Sequence, residues 1–309
     1  VAPLAATNEF YIDVDHVRVW KPGASNVTVY PATGTLETSY TVTAGGQNSP
    51  VYPVTINTWY RTNPFTVAPG LTDPEKWAAM KAVNETAGFT AFQMSGTAAI
   101  PVSVRFNDRT VTSAKVLPVR HGITPTITGG NTVNFNVPKP GKYIVFINNT
   151  EVRPCHVFVH PVDSTAPTGS GTGVVYYGPG THNAGTITVA DNTTYYIAGG
   201  ARFIGNFNVA GKTGFKIKGR GIVQSAGNFT VGDGASNFTI EGVTVIRPFT
   251  TTADWSFKHR NATGFTIDGC NVFTCQVTRD GIDSVSCRNY TIKNCFVRSA
   301  DDPCCINAA

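Results

Sequence analysis

Four of the chain's 19 acidic residues fall within twenty-three positions: Asp280 and Asp283 in Thr278-Arg279-Asp280-Gly281-Ile282-Asp283, then the pair Asp301-Asp302. Carboxylates that face one another across a groove suit the hydrolysis of a glycosidic bond. One stays protonated to donate to the leaving oxygen, while the other is ionised to activate water or attack carbon. Crowding Asp301 beside Asp302 and opposite Asp280 raises at least one pKa by like-charge repulsion. The alternative is structural, because Asp-Gly and Asp-Asp also make polar turns. Around the acids stand Lys258, His259, Arg260, Arg279 and Arg298. As substrate-binding residues they would favour an anionic ligand, and they read equally well as solvated edges, with His259 as a packed or exposed histidine. Trp255 and Trp77 would instead offer platforms for neutral sugars. No metal or cofactor is expected, since there is no G-x-G-x-x-G after a strand, no P-loop and no H-E-x-x-H; an ion held among Asp280, Asp283 and Asp302 is the lesser alternative.

The element that must position these acids is a repeat. The segments YYIAGG, FKIKGR, FTIEGV, FTIDGC and YTIKNC align on Ile197, Ile217, Ile240, Ile267 and Ile292, which are 20, 23, 27 and 25 residues apart. Each isoleucine has an aromatic residue two positions before it, and four of the five have Gly two positions after. A period of twenty-odd residues with several short strands and no helical stretch is the coil of a parallel β-helix. In such a solenoid like positions stack about 4.8 Å apart, with Gly at a corner that needs a left-handed backbone or a close approach. Asp280 and Asp301, 21 apart, then lie on neighbouring coils along one wall. Cys270 and Cys295 each lie three residues after an aligned isoleucine, so they stack as well, either as a disulfide or as two buried thiols.

The chain ahead of the repeat has a different texture. Residues 1–162 contain short alternating runs such as NVTVY, PVSVRF, TVNFNV and KYIVFI, punctuated by Pro and Gly, which is the pattern of a β-sandwich. One inserted helix is expected over about 72–84, with Thr72 or Asp73 as cap and Pro74 in the first turn. Residues 163–173 are rich in Gly, Ser and Thr and read as a linker. The β-helix domain occupies 174–309 and is expected to be incomplete at its C-terminal end.

Of the 309 residues, 41% are hydrophobic and 14% charged, with a formal net charge of +5. That composition excludes disorder, and no window reaches the roughly 18 uninterrupted apolar residues of a spanning helix, so no membrane association is expected. The positive charge is not gathered into runs, which argues against nucleic acid and suits an acidic polysaccharide. The opening VAPLAATNEF lacks the layout of a secretory signal, and its removal is the preferred reading. Eight N-x-[ST] sequons, at Asn26, Asn84, Asn148, Asn192, Asn228, Asn237, Asn261 and Asn289, point to a secreted, extracellular glycoprotein. Chance in a Thr- and Asn-rich β protein is the other explanation. Seven cysteines, six of them in the last forty positions, favour local disulfides over zinc.

Thr278-Arg279-Asp280-Gly281 followed by Asp301-Asp302 resembles the N-T-D-G and G-D-D motifs of the polygalacturonases, glycoside hydrolase family 28. VVYYGPGTHNAGTITVADNTTYYIAGGARFIGNF and IKGRGIV are similar to the first coils of polygalacturonase-like hydrolases that carry an N-terminal β-sandwich. The resemblance covers most of Val174 to Asp302. It implies an all-β protein in which the sandwich precedes a right-handed, single-stranded parallel β-helix of pectin-lyase-like fold. It also implies a hydrolase with Asp301 as general acid and Asp280 and Asp302 activating water with inversion, their carboxyl groups about 6.5–9.5 Å apart. Arg279 stands where the family has Thr, Ala300 where it has Gly, and Pro303 where D-D-C would continue. The family's G-H-G and R-I-K motifs have no counterpart here.

Two other readings stand beside this one. The dextranase and isopullulanase family also joins a β-sandwich to a β-helix with three aspartates, at tighter acidic spacing. A structural or glycan-binding β-helix glycoprotein of an extracellular surface or filament, self-associating through an open solenoid edge, is the non-enzymatic alternative.

Overall fold

The computed structural model describes residues 11–14, 17–20, 25–57, 84–225, 227–248, 254–274 and 279–307. The expected helix over 72–84 falls mostly on 58–83 and so lies outside the described residues, as do Trp77, Cys275 and Thr278. The chain divides into two compact units, one built mainly from Thr35–Pro53 and Gly88–Ser164, the other mainly from Thr165–Ala309.

The first unit is a β-sandwich. One sheet orders its strands Thr126–Thr128, Thr132–Val137, Ile100–Phe106, Tyr40–Ala44 and Gln47–Ser49, all antiparallel. The other contains Asn26–Val29, Asn84–Ser95, Thr150–Pro161, Gly141–Ile147 and Ala114–Leu117, with one parallel pair between its second and third strands. Alternation decides which side chains meet. Val102, Val104 and Phe106 of one sheet and Tyr143, Val145 and Ile147 of the other point inward and are buried, while the residues between them face out.

The second unit is a parallel β-helix. One wall stacks Val174–Tyr177, Thr194–Ile197, Lys216–Gly219, Thr239–Glu241, Thr266–Asp268 and Thr291–Lys293. A second wall adds Ile222–Gln224, Thr244–Ile246, Asn271–Phe273 and Phe296–Arg298 to Ala201–Asn208. From the far half of that same long strand runs a third wall, Thr230–Asp233, Asp254–Arg260, Arg279–Val285 and Cys304–Asn307.

The inward ladders follow the repeat. Ile217, Ile240, Ile267 and Ile292 are in register. The aromatics two residues ahead, Phe215, Phe238, Phe265 and Tyr290, stack face to face with centroids 4.7, 4.8 and 4.9 Å apart. The first rung corrects the sequence alignment. Ile217 pairs with Tyr195, and Ile197 pairs with Gly219, so the true register of that coil is shifted by two residues. Both Tyr195 and Ile197 are buried, and two apolar residues of the same strand parity compete for the same slot when only the pattern is read.

The corner two residues after the isoleucine is left-handed in three coils, with φ of 76° at Gly242, 66° at Gly269 and 54° at Asn294. At Gly219 a Cβ would collide with the Ile197 carbonyl oxygen, so close approach is the requirement there, and Gly199 is not left-handed. A second left-handed corner alternates Gly and Asn, with φ of 66° at Gly214, 52° at Asn237, 68° at Gly264 and 53° at Asn289. Asn is the non-glycine residue that best tolerates this region, which gives Asn237 and Asn289 a structural reason to be Asn.

Candidate active site

The strand Arg279–Val285 carries Asp280 and Asp283, and the turn leading into Cys304–Asn307 on the next coil carries Asp301 and Asp302. Backbone hydrogen bonds lock the two together. The Gly281 N–H donates to the Asp302 carbonyl at 2.8 Å and the Ile282 N–H to the Pro303 carbonyl at 3.1 Å. A Cβ on Gly281 would collide with the Pro303 carbonyl oxygen and with Val297 Cγ1, so close approach of the two coils requires glycine in the D-G dipeptide. The Asp302 N–H donates to Asp280 Oδ1 at 3.3 Å, and the Asp301 N–H to Ser299 Oγ at 3.3 Å.

One carboxylate oxygen from each of Asp280, Asp301 and Asp302 lies within 4.8 Å of the others, with Asp280 half-buried and the other two exposed. These nearest oxygens are closer than the 6.5–9.5 Å expected between the carboxyl groups. Three oxygens are at most half of the set a calcium ion takes, and the cluster alone makes no metal site. The charges that act on these acids most strongly are one another's. Burial and then the Asp301 charge push Asp280 up to about 6, against the lowering effect of the Asp302 N–H. Asp301 is raised by burial and by Asp302.

Asp283 is the residue whose importance the sequence reading missed. It is 1% exposed, and burial, Asp280 and Asp302 together push it up to about 8. Ile282 joins the solenoid core, and alternation turns the next residue, Asp283, away from that core. Strict alternation would also part it from Asp280, an odd number of positions back on the strand, so the spacing held no signal that the two interact.

The basic candidates separate. Lys258 is half-buried on Asp254–Arg260, with Nζ 5.0 Å from the Trp255 ring centroid, and Arg260 approaches the same ring at 5.7 Å. Trp255 is in register with Asp280 one coil on, and Lys258 with Asp283. His259 does not reach this wall. It is fully buried, its Nε2 is 3.0 Å from Thr230 Oγ1, and its ring lies against Phe238 and Phe265. Strand alternation sends it inward between Lys258 and Arg260, so its expected substrate-binding role is withdrawn. Arg279 is likewise fully buried, with Nη1 donating to the Pro248 carbonyl at 2.9 Å, and is not available to a ligand. Arg298 is half-buried on Phe296–Arg298, which pairs with Asn271–Phe273 and not with the strand of the acids.

Burial holds the His259 ring neutral, with its pKa down to about 4. The unfolded chain therefore binds a proton that the folded chain refuses between about pH 6.5 and 4. Stability from this residue is present above pH 6.5 and is lost as pH falls through that window, by up to about 3 kcal/mol. Urea unfolding of wild type and His259→Leu should diverge in that window; a stability difference independent of pH would contradict this.

Of the two alternatives for Cys270 and Cys295, the structure has the free thiols. Cys270 and Cys295 occupy equivalent positions on adjacent coils, each just ahead of the in-register pair Asn271 and Phe296, but no disulfide joins them. In-register side chains of a parallel pair project the same way, and each thiol turns to carbonyls: Cys270 Sγ lies 3.7 Å from the Asp268 oxygen and Cys295 Sγ 3.2 Å from the Lys293 oxygen. Of the sequon asparagines, Asn26, Asn148, Asn192, Asn237, Asn261 and Asn289 are exposed, and Asn84 and Asn228 are half-buried. Asn148 is a turn-binding residue, accepting from the Thr112 N–H at 2.7 Å and donating to the Thr110 carbonyl at 2.7 Å.

No protein-family model and no curated protein sequence matches the chain. Among solved structures, Dex49A from Penicillium minioluteum is similar over 85% of this chain and 67% of its own, at 13% identity and a TM-score of 0.50. The Family 28 exopolygalacturonase of Yersinia enterocolitica is similar over 68% of this chain and 63% of its own, at 11% identity and a TM-score of 0.37. The likeness to Dex49A is one of fold, and the in-register coils identify the second unit as a pectin-lyase-like parallel β-helix, a fold found among glycoside hydrolases.

Proposed function

We propose that this protein is a glycoside hydrolase acting on an extracellular polysaccharide, with Asp301 as general acid and Asp280 and Asp302 holding the attacking water. The observation that carries the reading is the gathering of three carboxylate oxygens within 4.8 Å on one solenoid wall, at the positions where the D-G and D-D motifs resemble those of polygalacturonases. Burial and like-charge neighbours raise both Asp280, to about 6, and Asp301, so the division of roles rests on the motif resemblance. At neutral pH Asp280 is ionised, as a base must be.

The pH dependence follows from these directions. Activity falls below about pH 6, as Asp280 takes up a proton and can no longer act as base. Trp255, with Lys258 and Arg260 against its ring, stands one coil from Asp280 and supports an acidic chain as the preferred substrate. The sequon density supports secretion. Proton NMR of the first sugar released from polygalacturonate, pullulan or dextran tests the proposal. It predicts an inverted anomer, with polygalacturonate cleaved best; retention of configuration, or no new anomeric signal with any of the three, counts against it.

A further inference from the structure

Asp283 is packed on every side. Lys258 and Arg260 lie on the preceding strand, with Lys258 in register with it, and Cys304 and Cys305 lie on the following one, with Cys305 in register. Asp280 precedes it on its own strand, and Asp301 and Asp302 come from the next coil's turn. It is 1% exposed, and no N–H or O–H donor is placed to bond either carboxylate oxygen. An ionised carboxylate so buried, with no counter-ion paired to it among the described residues, is strongly disfavoured against the neutral acid. Burial and the Asp280 and Asp302 charges act in the same direction.

A neutral acid carries one O–H that needs an acceptor. Asp280 is placed to provide one: it lies on the same strand, each of the two carboxyls acts on the other, and it is the half-buried member of the exposed cluster. We propose that Asp283 is a positioning residue, held as the neutral acid behind the cluster with its O–H directed at Asp280, so that Asp280 is the aspartate that carries the negative charge.

The kinetic arm of the test rests on the hydrolase reading. Asp283→Asn preserves a neutral donor, whereas Asp283→Leu preserves bulk without one. The Asn variant is expected to keep a rate within about threefold of wild type near pH 6, and the Leu variant to lose roughly tenfold or more through misplacement of Asp280. Wild-type activity should fall above about pH 8 as Asp283 ionises, and this limb should move to higher pH in Asp283→Asn, which cannot ionise. Equal losses in both variants, or an unchanged alkaline limb, would overturn the proposal.

A second arm needs no substrate. The folded chain keeps the Asp283 proton up to about pH 8, while an unfolded Asp releases its proton near about 3.9. The folded state thus binds more protons in between, and stability from this residue is lost as pH rises through that window. The melting temperature of Asp283→Asn minus that of wild type should climb from pH 4 to 8 and then level off. A difference flat across that range overturns the neutral-acid assignment. A climbing difference with no cleavage of any polysaccharide would instead leave that assignment standing and sink the hydrolase reading.

Discussion

Phe238→Ala is expected to destabilise the β-helix by about 3–5 kcal/mol, the range for deleting a buried aromatic side chain. Phe238 is the second rung of the inner aromatic ladder, stacked on Phe215 at 4.7 Å and on Phe265 at 4.8 Å, with planes inclined by only 7° and 5°. The His259 ring closes a third side, 5.1 Å away. Removing the ring leaves a void between coils whose spacing is fixed by backbone ladders, so the walls cannot collapse to fill it. In a solenoid each coil is stabilised chiefly by its neighbours, and the loss falls on two interfaces at once. Urea unfolding should show a lower midpoint for Phe238→Ala, and a shift of under about 1 kcal/mol would contradict the packing described.

The ladder was legible in the sequence because the solenoid repeats one environment at one spacing, so aromatic, isoleucine and glycine positions recur together. The left-handed corners at Gly242 and Gly269 were legible for the same reason. The slip at Ile197 was not, since Tyr195 and Ile197 are both apolar and both buried, and only the backbone pairing with Ile217 decides between them. The acids were found by type and spacing, yet their environments were hidden. Asp283 and Arg279 share a strand with Asp280 and are buried, where charged residues usually are not. His259 sits between two outward cations and was read with them, although alternation turns it inward. Sequence spacing gives the coil, while the direction of each side chain follows from strand parity, which short irregular strands conceal.

Asp301→Asn is expected to lower the hydrolytic rate by about 10²–10⁴-fold, the usual contribution of a positioned general acid. Asn is nearly isosteric and keeps the backbone N–H that donates to Ser299 Oγ, so the fold and the Asp280–Asp302 pair should survive the change. It has no proton to give to the leaving oxygen. Leaving groups that need no protonation, such as an activated aryl glycoside, should suffer less than the natural polymer. The most direct test of the acidic cluster as a hydrolytic site is therefore reducing-end release from polygalacturonate, pullulan and dextran by wild type and Asp301→Asn side by side. The account predicts release by the wild type, greatest from polygalacturonate, and its near loss in the variant; equal rates from both proteins, or release from none of the polymers by the wild type, would contradict it.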